Sequence, residues 1–240
     1  SPRGGGKNRL VLQNYFLFNC FSFTLSEVLI TLVIVGVVAA ITVPSVISNI
    51  QKQDTIAKLK KIYSTFAQVV MLSQQDNGPV DEWYENVNKN SQDYFDYYIK
   101  PYLANSVKCR LYSQAGYTSG VPYIKLNGQS STLGVGISNR TRASFFLNDI
   151  FIMIFSETTD INGDPLYMTA PMVYVDLNSG KGPNQYGRDV FIMVMDKKLG
   201  VVPLGTNYSL QVINKNCNRS TGGGEYCLAK IINDSWEINY

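Results

Sequence analysis

Histidine is absent from the 240 residues. That absence removes the commonest general base near neutral pH and the commonest transition-metal ligand, so histidine-dependent hydrolysis and histidine-ligated zinc are excluded by inventory. Charge is scarce as well. Asp, Glu, Lys and Arg make up 16% of the chain against 45% hydrophobic residues, a balance that suits one good core together with a membrane segment. No Asp or Glu precedes Glu27, and between Phe23 and Ile47 Glu27 is the only ionisable side chain. Carboxylates elsewhere are numerous enough for a two-carboxylate hydrolase, but no spacing singles out a pair, and the chain reads as a non-enzyme. It has no internal repeat and no long low-complexity segment.

What is present first is an apolar run. The 25 residues from Phe23 to Ile47 would form a helix of about 37 Å, enough to cross a hydrocarbon core of roughly 30 Å. Glu27 sits near its start. A carboxylate costs several kcal/mol to place in lipid, so an ionisable group there implies a partner. A cut between Ser22 and Phe23 would create an α-amine four residues from Glu27. In a staggered helix bundle, one subunit's amine would then neutralise another's carboxylate and set the axial register.

Ser22-Phe23-Thr24-Leu25-Ser26-Glu27 and the apolar residues that follow to roughly Ile50 resemble the processing motif of the prepilin family. That motif is a small residue, Phe-Thr-Leu, any residue, Glu, and then an apolar stretch. The resemblance implies a type IV pilin or type II secretion pseudopilin. A prepilin peptidase would cleave before Phe23 and methylate its amine, and Glu27 would be the assembly carboxylate. Gly36 and Pro44 fall where family members carry a helix-loosening Gly and Pro. Ser22 departs from the family's usual Gly, the residue that best allows an extended backbone into a peptidase cleft.

The chain is thus expected to divide into a cleaved leader (1–22), a transmembrane and assembly helix (23–50) and an extracytoplasmic pilin-like domain (51–240). It would be a single-pass protein of the bacterial inner membrane whose partners are prepilin peptidase and other pilin-like subunits, and a structural subunit of a pseudopilus or type IV pilus-like filament. A pilus-tip adhesin or ligand-binding module is the alternative. A secreted protein with an ordinary signal peptide is a lesser one, since Val38-Ala39-Ala40 would suit signal peptidase.

The formal net charge is +3, but Arg3, Lys7 and Arg9 all precede Phe23. Without them, 18 Lys and Arg balance 18 Asp and Glu, and nothing indicates nucleic-acid binding. After Pro44 the apolar pattern narrows to Ile56, Leu59, Ile62, Tyr63, Phe66, Val69 and Val70, the stripe of an amphipathic helix. Asn77-Gly78-Pro79 stops it. Ser91 to Leu103 reads as a second, shorter helix. Runs at Val121–Leu126, Ser144–Phe155, Leu166–Val175 and Val190–Met195 read as antiparallel strands, and Tyr226–Trp236 as a short final helix. The fold class is α+β, a long amino-terminal helix packed on an antiparallel sheet.

Two acidic turn segments could offer oxygen ligands to calcium: Asp160, Asn162 and Asp164 in one, Asp176 and Asn178 in the other. Neither has enough carboxylates alone, and Asp, Asn and Gly also simply make turns. No other cofactor is implied. Asp189 is expected to cap or pair near a tight loop, with Phe191 in the core. Cys217 and Cys227 enclose a glycine-rich loop. By the resemblance they form a disulfide, which would stabilise by about 2.5–3 kcal/mol in the chain-entropy model. A bond from Cys109 to either of them remains open.

Overall fold

A computed structural model of the chain describes residues 24–86, 91–103, 108–109, 123–131, 143–147, 149–155 and 171–240. Contacts divide the chain into two units, Ser1–Ser48 and Asn49–Tyr240. Helix α1 (Leu25–Asn77) contributes to both. Its first part is exposed and apolar on every side up to Ile50. By length and composition it can cross a membrane. The helix runs unbroken through Gly36 and Pro44.

In the second unit α1 buries one face only. Leu59, Ile62, Phe66, Val69, Val70 and Ser73 are buried, at the helical spacing read from the sequence. The five apolar ones pack in one cluster with a six-stranded sheet whose strand order follows the chain. The strands are β1 (Lys108–Cys109), β2 (Ala143–Leu147), β3 (Ile150–Phe155), β4 (Met172–Asp176), β5 (Val190–Asp196) and β6 (Gly200–Pro203). Every neighbouring pair is antiparallel.

Register and the two-residue period sort the side chains. Phe145, Ile152, Val175 and Phe191 lie opposite one another across β2 to β5 and belong to the cluster with α1. Met153, Tyr174 and Ile192 form the next row and join a second cluster with Tyr123 and Tyr186. Strand β3 is therefore buried at every position, which is why Ile150–Phe155 is an unbroken apolar run.

Ser144–Phe155, expected as one strand, is a hairpin instead. The chain turns around Asp149, which adopts a positive φ of 64°, a conformation that Asp tolerates better than most residues. Ser91–Leu103 is not one regular helix either. It opens with α2 (Ser91–Tyr94), continues as a π turn (Phe95–Ile99) and tightens to a 3₁₀ turn (Lys100–Tyr102). Pro101 has no N–H to sustain an α-helical ladder. The segment still buries Tyr94, Phe95, Tyr98, Ile99 and Leu103. Phe95 stacks on Phe145 at 4.6 Å, and Tyr98 stacks on Trp83 at 4.7 Å.

Within the expected strand Val121–Leu126, Tyr123–Leu126 is a loop with isolated bridges from Ile124 to Ser130 and Gln185. The part of Leu166–Val175 before Pro171 lies outside the described residues. Two short helices close the chain, α3 (Leu210–Asn216) and α4 (Cys227–Asn233).

Phe66 is fully buried against Phe145, with ring centroids 6.3 Å apart. Phe66→Ala is expected to cost about 3–5 kcal/mol of domain stability. The loss would appear as a lowered urea midpoint followed by tryptophan fluorescence.

Candidate functional site

The first turn of α1 holds the carboxylate that the sequence singled out. Thr24 precedes the helix, and its backbone N–H and its hydroxyl both donate to Glu27 Oε2, each at 2.8 Å. The Glu27 N–H donates in return to Thr24 Oγ1 at 3.2 Å. This reciprocal arrangement is a capping box. It satisfies two of the four N–H groups that a helix start leaves open, and it places a negative charge at the positive end of the helix dipole. Among the described residues Glu27 Oε1 accepts no hydrogen bond, so one oxygen stays available while the other is engaged. Ser22 and Phe23 lie outside the described residues.

The prepilin-type motif alone assigns Thr24 no role of its own. The signal was nonetheless there, since Thr-Leu-Ser-Glu before an apolar run is the capping-box pattern. Thr24→Val keeps the shape and removes the hydroxyl. Loss of such a cap costs about 1 kcal/mol. Amide exchange at Glu27 in the micelle-embedded chain should therefore accelerate roughly fivefold.

The second candidate is the loop from Asp176 to Val190. Asp176 is 1% exposed and accepts from the backbone N–H groups of Asn178, Ser179 and Gly180 at 3.0–3.2 Å. Asp189, also buried, accepts from the backbone N–H of Asn184 and Gln185 and from the Asn178 side-chain amide. Seven residues after Asp176, Gly182-Pro183 is a cis peptide. The two carboxylates thus serve as internal anions around which the loop is wound. Their lone pairs are largely engaged by N–H donors, which leaves little for a cation. Asp160, Asn162 and Asp164 lie outside the described residues. Among the described residues no group of three or more His, Cys, Asp or Glu is placed to hold a metal ion.

Burial pushes the Asp176 carboxyl up to about 6, with the neighbouring Asp189 adding to the rise and the three N–H donors opposing it. Burial raises Asp189 as well. A carboxyl whose folded pKa exceeds its unfolded value favours folding below the unfolded pKa, and that contribution is lost as pH rises through the folded value. Asp176→Asn removes the titration. The variant's stability deficit relative to the parent should be larger at pH 5 than at pH 7.5 by about 1 kcal/mol, read from paired denaturant titrations.

The disulfide joins Cys217 to Cys227, with Cα atoms 5.0 Å apart. Cys109 takes no part in it and stands on β1 opposite Phe145. The closed loop docks on the Asp176–Val190 loop. The carbonyls of Gly222 and Gly223 accept from Asn127 and Leu126. Gly187 has a φ of +77°, and a Cβ there would lie 2.7 Å from the Cys227 sulfur, so only glycine fits. The Tyr240 hydroxyl donates to the Gly187 carbonyl at 2.6 Å.

A family model described as a family of unknown function (DUF6613) matches residues 45–240. The chain belongs to that family. A second model, the prokaryotic N-terminal methylation motif, matches residues 18–43, which makes this family member a type IV pilin-like protein, as its Phe23–Glu27 motif implied. No curated protein and no solved structure matches the chain.

Proposed function

We propose that the chain is a structural subunit of a type II secretion pseudopilus or type IV pilus-like filament, not an enzyme. A prepilin peptidase cuts between Ser22 and Phe23 and methylates the new amine. The apolar part of α1 then holds the subunit in the inner membrane as a single span, with the domain outside the cytoplasm, until it joins other pilin-like subunits. The observation that carries this reading is the first turn of α1. Glu27 caps its own helix through Oε2, and among the described residues Oε1 accepts no hydrogen bond, at the start of a segment with no other charge up to Ile47.

In lipid, an uncompensated carboxylate is costly, and a neighbour's amine is the compensation that assembly supplies. The same carboxylate can serve both needs, because the cap engages one oxygen and Glu27 lies on an exposed turn. Register then follows from chemistry. A subunit whose amine misses the carboxylate leaves two charges unpaired in an apolar bundle.

Glu27→Ala in the full chain is expected to leave membrane insertion and cleavage intact and to lower incorporation into filaments at least tenfold, as follows from unpairing a desolvated amine. Amino-terminal sequencing of the membrane-extracted protein checks processing, and sedimentation of sheared filaments checks incorporation. A mature start at Ile41, or normal incorporation of the variant, would remove the reading.

A further inference from the structure

Within the Asn49–Tyr240 unit, charge is sorted along the chain that forms α1 and its cap. Residues 49–73 carry four lysines against one carboxylate, a net charge of +3. Residues 74–103 carry six carboxylates against two lysines, a net charge of −4. Between Lys61 and Asp76 the helix has no Asp, Glu, Lys or Arg at all. A basic band, a neutral spacer and an acidic band follow one another.

The ion pairs among the described residues leave this separation standing. The ion pairs Lys58–Asp54 (2.7 Å) and Lys100–Asp96 (2.9 Å) each lie within one band and are well exposed, so they neutralise little of the other band's charge. Lys60 lies over the Trp236 ring at 5.4 Å. Lys61 is exposed and has no ion pair among the described residues. At the other end Asp81 and Glu82 are exposed, and Asp76, also exposed, accepts from the Tyr102 hydroxyl at 2.8 Å.

Lys58, Lys61, Gln68, Leu72 and Asp76 fall at three- and four-residue spacing or multiples of it, on a flank of α1 away from the buried stripe. Leu72 is 42% exposed on that flank and Met71, beside it, 53%.

We propose that this flank is a contact surface for a second copy of the same chain, a neighbour further along the filament than the one whose amine meets Glu27, shifted along the helix axis by 15–18 residues, about 22–27 Å. The inference rests on the filament reading, which makes all copies parallel. Parallel copies in register would set basic band beside basic band and acidic beside acidic. A shift of that size instead sets Asp76 of one copy level with Lys58 and Lys61 of the next. It also brings exposed Leu72 level with Ala57, a small exposed residue. The pattern therefore opposes the in-register pair and favours the staggered one, which is how charge confers specificity at modest affinity.

The test uses the full-length chain, expressed in membranes with a prepilin peptidase and followed by sedimentation of self-assembled material. Lys58→Glu with Lys61→Glu, and separately Asp76→Lys with Asp81→Lys, should each lower assembly roughly fivefold, and the four changes together should restore it to within about twofold. Lys61→Gln, which adds no new repulsion, should weaken assembly about twofold. Raising the salt should weaken the parent's assembly and leave Lys61→Gln less sensitive.

Doubles that assemble normally, or a quadruple variant that is not restored, overturn the proposal. So does a parent chain that is cut before Phe23 and enters filaments of other subunits without ever associating with itself. That last outcome leaves the proposed function standing, whereas indifference to Glu27→Ala would remove the function and this contact together.

Discussion

The contact between one face of α1 and the sheet sets the terms for the rest of the domain. A helix can bury a single stripe while its other faces stay wet, and α1 does so from Leu59 to Ser73. The sheet answers with alternate residues of β2, β4 and β6, since a strand offers every second side chain to a given layer. The α2 segment adds aromatics at one edge of this layer, where Phe95 lies against the Phe145 ring that also meets Phe66. Tyr63, half-buried on α1, donates to the carbonyl of Val201 on the edge strand β6. With Pro203 at its end, that edge offers few free backbone groups to another chain.

Three carboxylates are held in the same way and to different ends. Glu27, Asp176 and Asp189 all accept backbone N–H groups from residues a few positions away. For Asp176 and Asp189 the arrangement is closed. They are buried and surrounded by donors, and their chemistry is spent on winding a loop that carries left-handed residues at Ser179, Gly180, Gly182, Asn184 and Gly187. The disulfide loop then covers that winding through a contact at Gly187 that no side chain could share. Glu27 differs in using one oxygen and in lying on an exposed turn. A closed carboxylate is part of the fold, whereas Glu27, with one oxygen unengaged among the described residues, suits the pairing proposed for it.

The physical basis of each expectation decided how well it read from the sequence. The amphipathic stripe of α1 was legible because its period is local: of its seven residues Leu59, Ile62, Phe66, Val69 and Val70 are buried and Ile56 and Tyr63 are half-buried. The core strand Val190–Met195 was legible as an apolar run and extends one residue further, to Asp196. The hairpin at Asp149 was hidden because Phe145 to Phe155 is nearly continuous apolar sequence, and an Asn-Asp pair is a weak turn signal beside it. Strand β6 and helix α3 were missed for opposite reasons. Gly200–Pro203 is short and ends in proline, while α3 buries only Ile213 and so shows no stripe. Asp189 was placed correctly beside a tight loop. The convergence of Asp176, Asn178 and Asp189 on one another depends on chain reversal between residues 178 and 189, which no local pattern states.

The apolar half of α1 carries a further consequence. Side chains such as Val, Ile, Leu and Ala attract their like wherever they meet, so a bundle of such helices gains almost as much contact when one member slides by a turn. Packing alone therefore gives cohesion without register. Register has to come from groups that are wrong everywhere but one place, and those are charges. From Phe23 to Ile47 the side chains offer one such group, Glu27. Beyond Ile50 the next ones are the lysines of the basic band, and after a neutral interval the acids of the cap. A sequence with so little charge makes each charge it keeps a strong constraint on axial position, and in the proposed filament those charges mark where the next subunit sits.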